Sequence, residues 1–218
     1  CNLNDNSILY YECSIYWPNH PKNSQADSFW TLADKCGLTY EVNKQLMQEA
    51  FKTLHTWRLD PERKNAKLGL SLTVEHLLHK SSFEDLVHQI EVSEIDSELL
   101  MIELSESALS RFPKYLPSIV QKLHSLGVTL VLDNFGGQSG SLNHLFRYDF
   151  DYIKLNENLV NSFGMSDKYH KLVNSIVLIS NQMGIGVIGA GVGDEMVLHE
   201  LVEIGCHFGQ GHYLSAAS

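Results

Sequence analysis

The chain has 218 residues, 44% hydrophobic and 19% charged, which is ordinary globular composition and long enough for one sizeable core. Its formal net charge of −10 argues against an extended phosphate-binding surface, because nucleic-acid affinity is carried by Lys and Arg; direct nucleic-acid binding by this domain is not expected. Cys1, Cys13, Cys36 and Cys206 are scattered with no CxxC pair, so neither a zinc site nor a disulfide framework is indicated and a reducing cytoplasm fits. No run approaches the ~20 apolar residues of a membrane helix, and no membrane contact is expected within this segment.

Strand and helix patterns alternate along the chain. Residues 8–17 (ILYYECSIYW) read as a first strand, followed by a His/Pro/Asn/Ser loop at 18–25 and helices at 27–35 and 41–57. Then come strand 67–73, helix 83–92, strand 99–105, helix 113–126, strand 128–134 and a short helix at 140–147. The theme repeats as strand 151–156, helix 167–183, strand 185–190, helix 194–204 and strand 206–210. Helices carry apolar residues at three- and four-residue spacing, as in Leu116, Ile119, Val120 and Leu123. Strands such as VTLVL are apolar on both faces, the pattern of a buried parallel sheet. Seven or eight such units without a linker predict an α/β fold, a (β/α)8 TIM-like barrel, as one domain spanning 1–218. The start at Cys1 without Met reads as a domain excised from a longer multidomain protein.

In such a barrel the chemistry sits at the C-terminal ends of the strands. Glu12, Ser71, Glu103, Asp133, Asn134, Lys154, Asn156, Ala190 and Gln210 all fall there or close by. Three acids and a lysine ending different buried strands would meet around one mouth, where an unpaired charge is costly. Two readings stay open on the residues alone: a ligand-binding mouth, or a polar plug in which Lys154 neutralises Asp133 or Glu103.

The chain resembles an EAL domain, the cyclic-di-GMP phosphodiesterase family, over essentially its whole length. The Glu-Ala-Leu signature is matched by Glu12-Cys13-Ser14, and the Leu-Glu-Ile/Leu-x-Glu string by Ile102 to Glu106. Asp-Asp-Phe-Gly-x-Gly is matched by Asp133 to Gln138, Lys-Ile-Asp by Lys154-Leu155-Asn156, Ala-Glu-Gly-Val-Glu by Gly189 to Gly193, and Gln-Gly-Tyr by Gln210-Gly211-His212. The resemblance implies an EAL-type barrel in which active members hold two divalent cations with acids of these strings and an Asn on the second strand.

The departures from that pattern fall on the acids. Ser71 stands for the Asn, Asn134 for the second Asp, Asn156 for the Asp after the lysine, and Ala190 and Gly193 for both later glutamates. Hard cations need carboxylate charge and the two-metal route needs both ions, so no metal and no cofactor is expected. Glu12, Glu103, Asp133, Lys154 and Gln210 are then vestiges of a catalytic set. Tyr16 replaces an Arg that contacts phosphate in the family, exchanging a charged bidentate donor for one neutral hydroxyl; cyclic-di-GMP binding is not expected.

The resulting expectation is a catalytically inactive EAL domain that binds a protein partner. Tyr11-Glu12, the run Asp149 to Leu155 and Ala216-Ala217-Ser218 are similar to the degenerate EAL domains of CsrD-type (MshH-type) regulators. That similarity implies a cytoplasmic domain of an inner-membrane-anchored protein that promotes turnover of small regulatory RNAs and takes its signal from the glucose-specific EIIA protein of the sugar phosphotransferase system. Two alternatives remain: a cyclic-di-GMP receptor without hydrolysis, and a weak phosphodiesterase using Glu12, Glu103, Asp133 and Lys154. The rewritten loop Gly136 to Ser141 implies mobility and weaker self-association by the family's dimer route.

Other signals are read as structural. Gly184 to Gly189 spells GxGxxG but follows a helix and itself reads as strand, the wrong context for a dinucleotide site. Arg63, Lys64 and Lys67 read as a solvated loop. His76 and His79 read as an exposed helix face rather than a metal pair. Phe51, Leu54 and Trp57 read as core, and Trp17 and Trp30 as packing near the first strand.

Overall fold

The computed structural model describes residues 1–15, 26–137, 141–163 and 166–214. Tyr16, Trp17 and the centre of the loop after the fourth strand lie outside them. Seven strands form one all-parallel sheet in chain order: β1 (Tyr11–Cys13), β2 (Leu68–Ser71), β3 (Leu100–Ser105), β4 (Thr129–Phe135), β5 (Tyr152–Leu155), β6 (Gly186–Ala190) and β7 (Phe208–Gln210). Sequential parallel neighbours require a crossover between each pair. Helices supply them: α1 (Ala26–Lys35) and α2 (Thr39–Arg58), α3 (Val74–Leu78) and α4 (Lys80–Val92), α5 (Glu106–Arg111) and α6 (Leu116–Ser125), α7 (Asn143–Arg147), α8 (Glu157–Val160) and α9 (Asp167–Gln182), and α10 (Glu195–Glu203).

The expected barrel is met in part. The sheet curls so far that Gln210 at the end of β7 reaches Glu12 on β1, giving an α/β, TIM-like arrangement of seven parallel strands among the described residues. On the outer edge of β7 lies a short antiparallel segment rather than another parallel strand. Asn2 bridges Phe208, Leu3 N–H donates to His207 C=O, and Cys1 and Gly209 exchange backbone bonds. The turn that follows is closed by Asn2 and Asp5 side chains accepting from the backbone of Asn4 and Ser7, with Asn6 in the left-handed region. Of the expected first strand 8–17, β1 takes Tyr11–Cys13, and residues 16 and 17 lie outside those described.

Alternation along the strands splits the core in two. Leu70, Ile102, Leu104, Leu130, Leu132, Ile153, Leu155 and Val187 face outward and pack on Leu54, Leu86, Leu123, Val173 and Leu201 of the helices. Met101, Val131 and Ile188 face inward with Tyr10, Tyr152 and Phe208 packed against them. Side chains two residues apart share a face. The next inward layer is therefore Glu12, Ser71, Glu103, Asp133, Lys154, Ala190 and Gln210, one from each strand. An apolar floor and a polar ceiling thus arise from a single period-2 pattern read in every strand.

Helix ends repeat one device before β4, β6 and β7. Gly127, Gly184 and Gly205 have positive φ, and the residue after each donates back to the last turn: Val128 to Leu123, Ile185 to Ser180 and Cys206 to Leu201. This closure lets each chain leave its helix and enter the next strand at once. Gly184 to Gly189 accordingly ends α9 and enters β6, as its sequence context indicates. The expected helix 113–126 forms as α6 only from Leu116, with Pro117 in its first turn, while α3, α5 and α8 are helices too short to announce a periodicity.

One expectation is overturned. His76 is not on an exposed face but 4% exposed, tucked between α2 and α3 with the Tyr40 ring 5.7 Å away, and neither ring nitrogen has a hydrogen-bond partner. The N-terminus of α3, capped by Thr73 and tied to α2 through buried Asn43, turns His76 inward, while His79 stays exposed. Burial, then the neighbouring His79, pushes the His76 imidazole down from 6.5 to about 4 against a weaker opposing pull from Asp85. The unfolded chain therefore takes up this proton before the folded one does, and stability falls as pH drops from 6.5 towards 4. Urea midpoints across that window should fall more steeply for the wild type than for His76→Leu; parallel curves would show that His76 does not contribute.

Candidate functional site: the strand-end mouth

The polar layer is organised around Lys154. Its ammonium lies 2.6 Å from Glu103 Oε2, 2.9 Å from Glu12 Oε2 and 3.7 Å from Asp133 Oδ1, so β5 is joined electrostatically to β3, β1 and β4. Gln210 Nε2 donates to the same Glu12 oxygen at 2.6 Å. Lys154 and Glu103 are buried, with side chains 5% and 0% exposed, whereas Asp133 and Glu12 keep 30% and 26% exposure and form the solvent side. Beneath the ammonium lies the Tyr10 ring, 5.9 Å away, and Gly69 makes room for it, since a Cβ there would stand 2.5 Å from Tyr10 Cε2.

The charges do not balance: three carboxylates face one ammonium. Burial pushes the Glu103 carboxyl up to about 7 against the opposing pull of Lys154, with Glu12 and Asp133 adding to the rise. Burial also acts to lower Lys154, but Glu103, Asp133 and Glu12 outweigh it and hold the ammonium well above its ordinary range. Glu12 is raised by burial and lowered more by Lys154 and its two hydrogen bonds, for a net decrease. Glu103 Oε1 and the Tyr10 hydroxyl are buried without hydrogen-bond partners. The layer is therefore a cation held by an excess of carboxylate, with Glu103 the member that most readily takes a proton.

The second half of the mouth is built by a bulge. Leu132 pairs with Ile153 and Phe135 with Leu155, so Asp133 and Asn134 together oppose Lys154. The extra residue, with Asn134 at φ 61, turns a side chain that would point outward towards the end of β5. There Asn156 Nδ2 donates to Asn134 Oδ1, while Asn156 Oδ1 accepts from the N–H groups of Asn158 and Leu159 and caps α8. The two asparagines satisfy each other and the backbone without any ion. Ala190 lies beside Gln210 in the sheet register, and Gly193 faces His212, whose Cε1 would be 3.4 Å from an added Cβ; neither supplies a donor or acceptor side chain.

Glu106 is a further member that reading strand ends alone misses. It is 1% exposed, and its carboxylate accepts from Gly136 N–H at 3.2 Å and Ser141 N–H at 2.9 Å, with His144 Nδ1 at 3.3 Å. Both described ends of the loop after β4 are thus tied to the first residue of α5, while the loop's centre lies outside the described residues. Its signal was present in the sequence as the second acid of the ELSE string. A cavity of about 390 Å³ lined by Lys67, Asp151, Tyr152 and Phe208 opens at the opposite pole and touches none of these residues.

Parallel strands ending in one shared polar layer, with helices outside, define an α/β, TIM-like protein whose candidate site is the C-terminal mouth. The chain matches the EAL domain over residues 1–217 and belongs to that family. Cyclic di-GMP phosphodiesterase PA2567 of Pseudomonas aeruginosa is 24% identical over 187 residues, covering 86% of this chain and 32% of that protein. Cyclic di-GMP phosphodiesterase PdeR of Escherichia coli is 23% identical over 203 residues, 87% of this chain and 30% of its own length. The chain thus spans about a third of the curated relatives it matches. Among solved structures, EAL enzyme Bd1971 with cAMP and cyclic-di-GMP bound superposes with a TM-score of 0.88 at 20% identity, covering 99% of this chain and 59% of that one. At that identity the likeness establishes the fold. Among the described residues no helix is long and apolar enough to cross a membrane.

The divalent cations that the family implies do not fit this mouth. Lys154 already occupies the point on which Glu12, Glu103 and Asp133 converge, the amides at 134 and 156 are spent on each other, and among the described residues no group of three or more His, Cys, Asp or Glu side chains could hold a metal.

Two outcomes follow from the geometry. Glu103 is raised above its unfolded value near 4.5, so its contribution to stability is complete below that pH and is lost as pH rises through about 7. Glu103→Gln removes this loss: urea midpoints of the variant should gain on the wild type between pH 5 and 8, and a constant difference would contradict it. Asn156→Ala should cost about 1 kcal/mol through loss of the α8 cap while Asn156→Asp, itself a good cap, costs less; equal losses would show that the cap is not what matters.

Proposed function

We propose that this chain is a catalytically inactive EAL domain that works as a regulatory protein-binding module. The observation that carries the reading is the use of the mouth's own groups: Lys154 neutralises the surviving acids, and Asn134 and Asn156 bond to each other. The two-metal route of phosphodiester hydrolysis needs two cations about 3.5–4 Å apart to activate water and stabilise the leaving oxygen. Glu12, Glu103 and Asp133 are engaged, and Ala190 and Gly193 bring nothing, so neither ion has a ligand set and no hydroxide is generated.

With its net charge of −10, the domain suits a protein partner better than RNA. We take the CsrD/MshH type as the working role: a cytoplasmic domain of an inner-membrane-anchored protein, on an eight-place EAL barrel, that influences small-RNA turnover and receives the glucose-specific EIIA protein. The observation favouring the second reading, a cyclic-di-GMP receptor, is that named relatives are cyclic di-GMP phosphodiesterases and a solved neighbour holds cyclic-di-GMP. Against it stands Tyr16 in place of an Arg, which removes a charged bidentate phosphate contact.

A turnover assay with Mg²⁺ or Mn²⁺ should detect no linearisation of cyclic-di-GMP by the wild type or by Asn134→Asp. Groups acting as one catalytic unit are strongly non-additive, so activity is expected, if at all, only when Tyr16→Arg, Ser71→Asn, Asn134→Asp, Asn156→Asp, Ala190→Glu and Gly193→Glu are combined. Hydrolysis by the wild type overturns the reading. Calorimetric binding of cyclic-di-GMP without turnover selects the receptor instead, and a pull-down with purified EIIA-type protein tests the working partner.

A further inference from the structure

Charge is unevenly spread along the chain. Residues 107–148 hold a single acid, Asp133, against four cations, Arg111, Lys114, Lys122 and Arg147, in a protein whose net charge is −10. That run supplies most of α5 and all of α6, β4 and α7, so it forms one sector of the wall, and its one acid is turned into the mouth towards Lys154. Two of the cations are matched from the adjoining sector: Arg111 pairs with Glu75 of α3 and Lys122 with Glu91 of α4. Lys114 and Arg147 have no carboxylate partner among the described residues. Arg147 donates instead to Pro113 C=O at 3.0 Å, which holds α7 against the loop that leads into α6.

The same two adjoining segments present large apolar side chains to water. Tyr115 is 62% exposed, Leu142 44% and Phe146 71%. Aromatic side chains with arginine beside them are the composition of interface centres, and apolar groups gathered on one face of a soluble domain mark a contact surface. We propose that the loop from Arg111 to Tyr115 and the adjoining face of α7 are the docking surface for a protein partner whose own contact face is acidic around an apolar anchor. This rests on the reading of the chain as a protein-binding module and adds where the partner sits and what chemistry it presents.

Charge complementarity selects this occupant over others. A second copy would meet the patch through a two-fold axis, which sets a surface against itself and brings Lys114 and Arg147 against the same cations. A phosphate backbone is bound mainly by neutralising many charges, and two unmatched cations on a domain of net charge −10 supply few. An acidic protein face needs only local matching, and its apolar anchor covers Tyr115, Leu142 and Phe146. The acidic remainder of the domain does not prevent this, because at physiological ionic strength charges more than about 8 Å apart are largely screened. The nearest cations therefore decide which surface docks.

The test uses random peptides displayed on phage, selected on the whole chain at about 0.15 M salt, then synthesised and titrated by fluorescence anisotropy. The enriched peptides should be net acidic and carry leucine or an aromatic residue. Their affinity should fall about tenfold for Phe146→Ser and for Lys114→Glu, less for Lys114→Gln, and not at all for Leu59→Ser, a more exposed apolar site after α2. All four side chains are exposed, so the variants should melt as the wild type does. Peptides without an excess of acid overturn the proposal, as does a selection that enriches nothing or binding that Phe146→Ser and Lys114→Glu leave intact. A wild-type dimer in sedimentation that Phe146→Ser dissociates overturns it in favour of a second copy. Single-stranded RNA or anionic vesicles held more tightly than the peptides, and released by Lys114→Glu, overturn it in favour of a polyanion surface. Acidic peptides that bind elsewhere on the chain sink this surface and leave the protein-binding reading standing, so the two fail separately.

Discussion

A lysine ammonium that is almost completely out of water is the constraint on which this structure turns. An isolated buried ion costs several kcal/mol, and Lys154 can meet that cost only where carboxylates from other strands surround it. Glu103 comes from β3, Glu12 from β1 and Asp133 from β4. The sheet can bring them together only by curling, so the curvature of the barrel and the ion cluster require each other. The same curl brings β7 to β1, where Gln210 completes the ring through Glu12. The apolar floor of Met101, Val131 and Ile188 excludes water from below, which makes the pairing strong and any unpaired member costly.

The other half of the mouth follows a different solution to the same difficulty. An acid at 134 beside an acid at 156 would place two like charges in hydrogen-bond range, an arrangement stable only with a cation or a shared proton. Amides at both positions remove the conflict: one donates, the other accepts, and the spare oxygen of Asn156 caps α8. The bulge in β4 turns Asn134 towards the end of β5, where the two amides meet.

Much of this was legible in the residues. All seven strands and the longer helices follow from apolar period and from the glycines ending α6, α9 and α10. The inward polar layer follows from strand ends, because Glu12, Glu103, Asp133, Lys154 and Gln210 each stand two residues beyond an inward apolar or aromatic one. What escaped depends on tertiary contact. His76 and His79 carry the same letter, and the cap at Thr73 with its tie to Asn43 of α2 decides which is buried. Glu106 lies at the start of a helix, where an acid is ordinarily a solvated dipole partner; the loop folding back onto it makes it a buried clamp for Gly136 and Ser141. The short antiparallel segment beside β7 rests on three residues, too few to carry a pattern.

The central claim is that the lysine, and no metal, sits at the meeting point of the acids. It is tested most directly by a crystal grown with manganese and cyclic-di-GMP, with anomalous diffraction collected at the manganese edge. The account predicts no anomalous peak within the layer of Glu12, Glu103 and Asp133, and density placing Lys154 Nζ against Glu103 and Glu12. Two ordered manganese ions coordinated by those carboxylates, with Lys154 displaced, would contradict it.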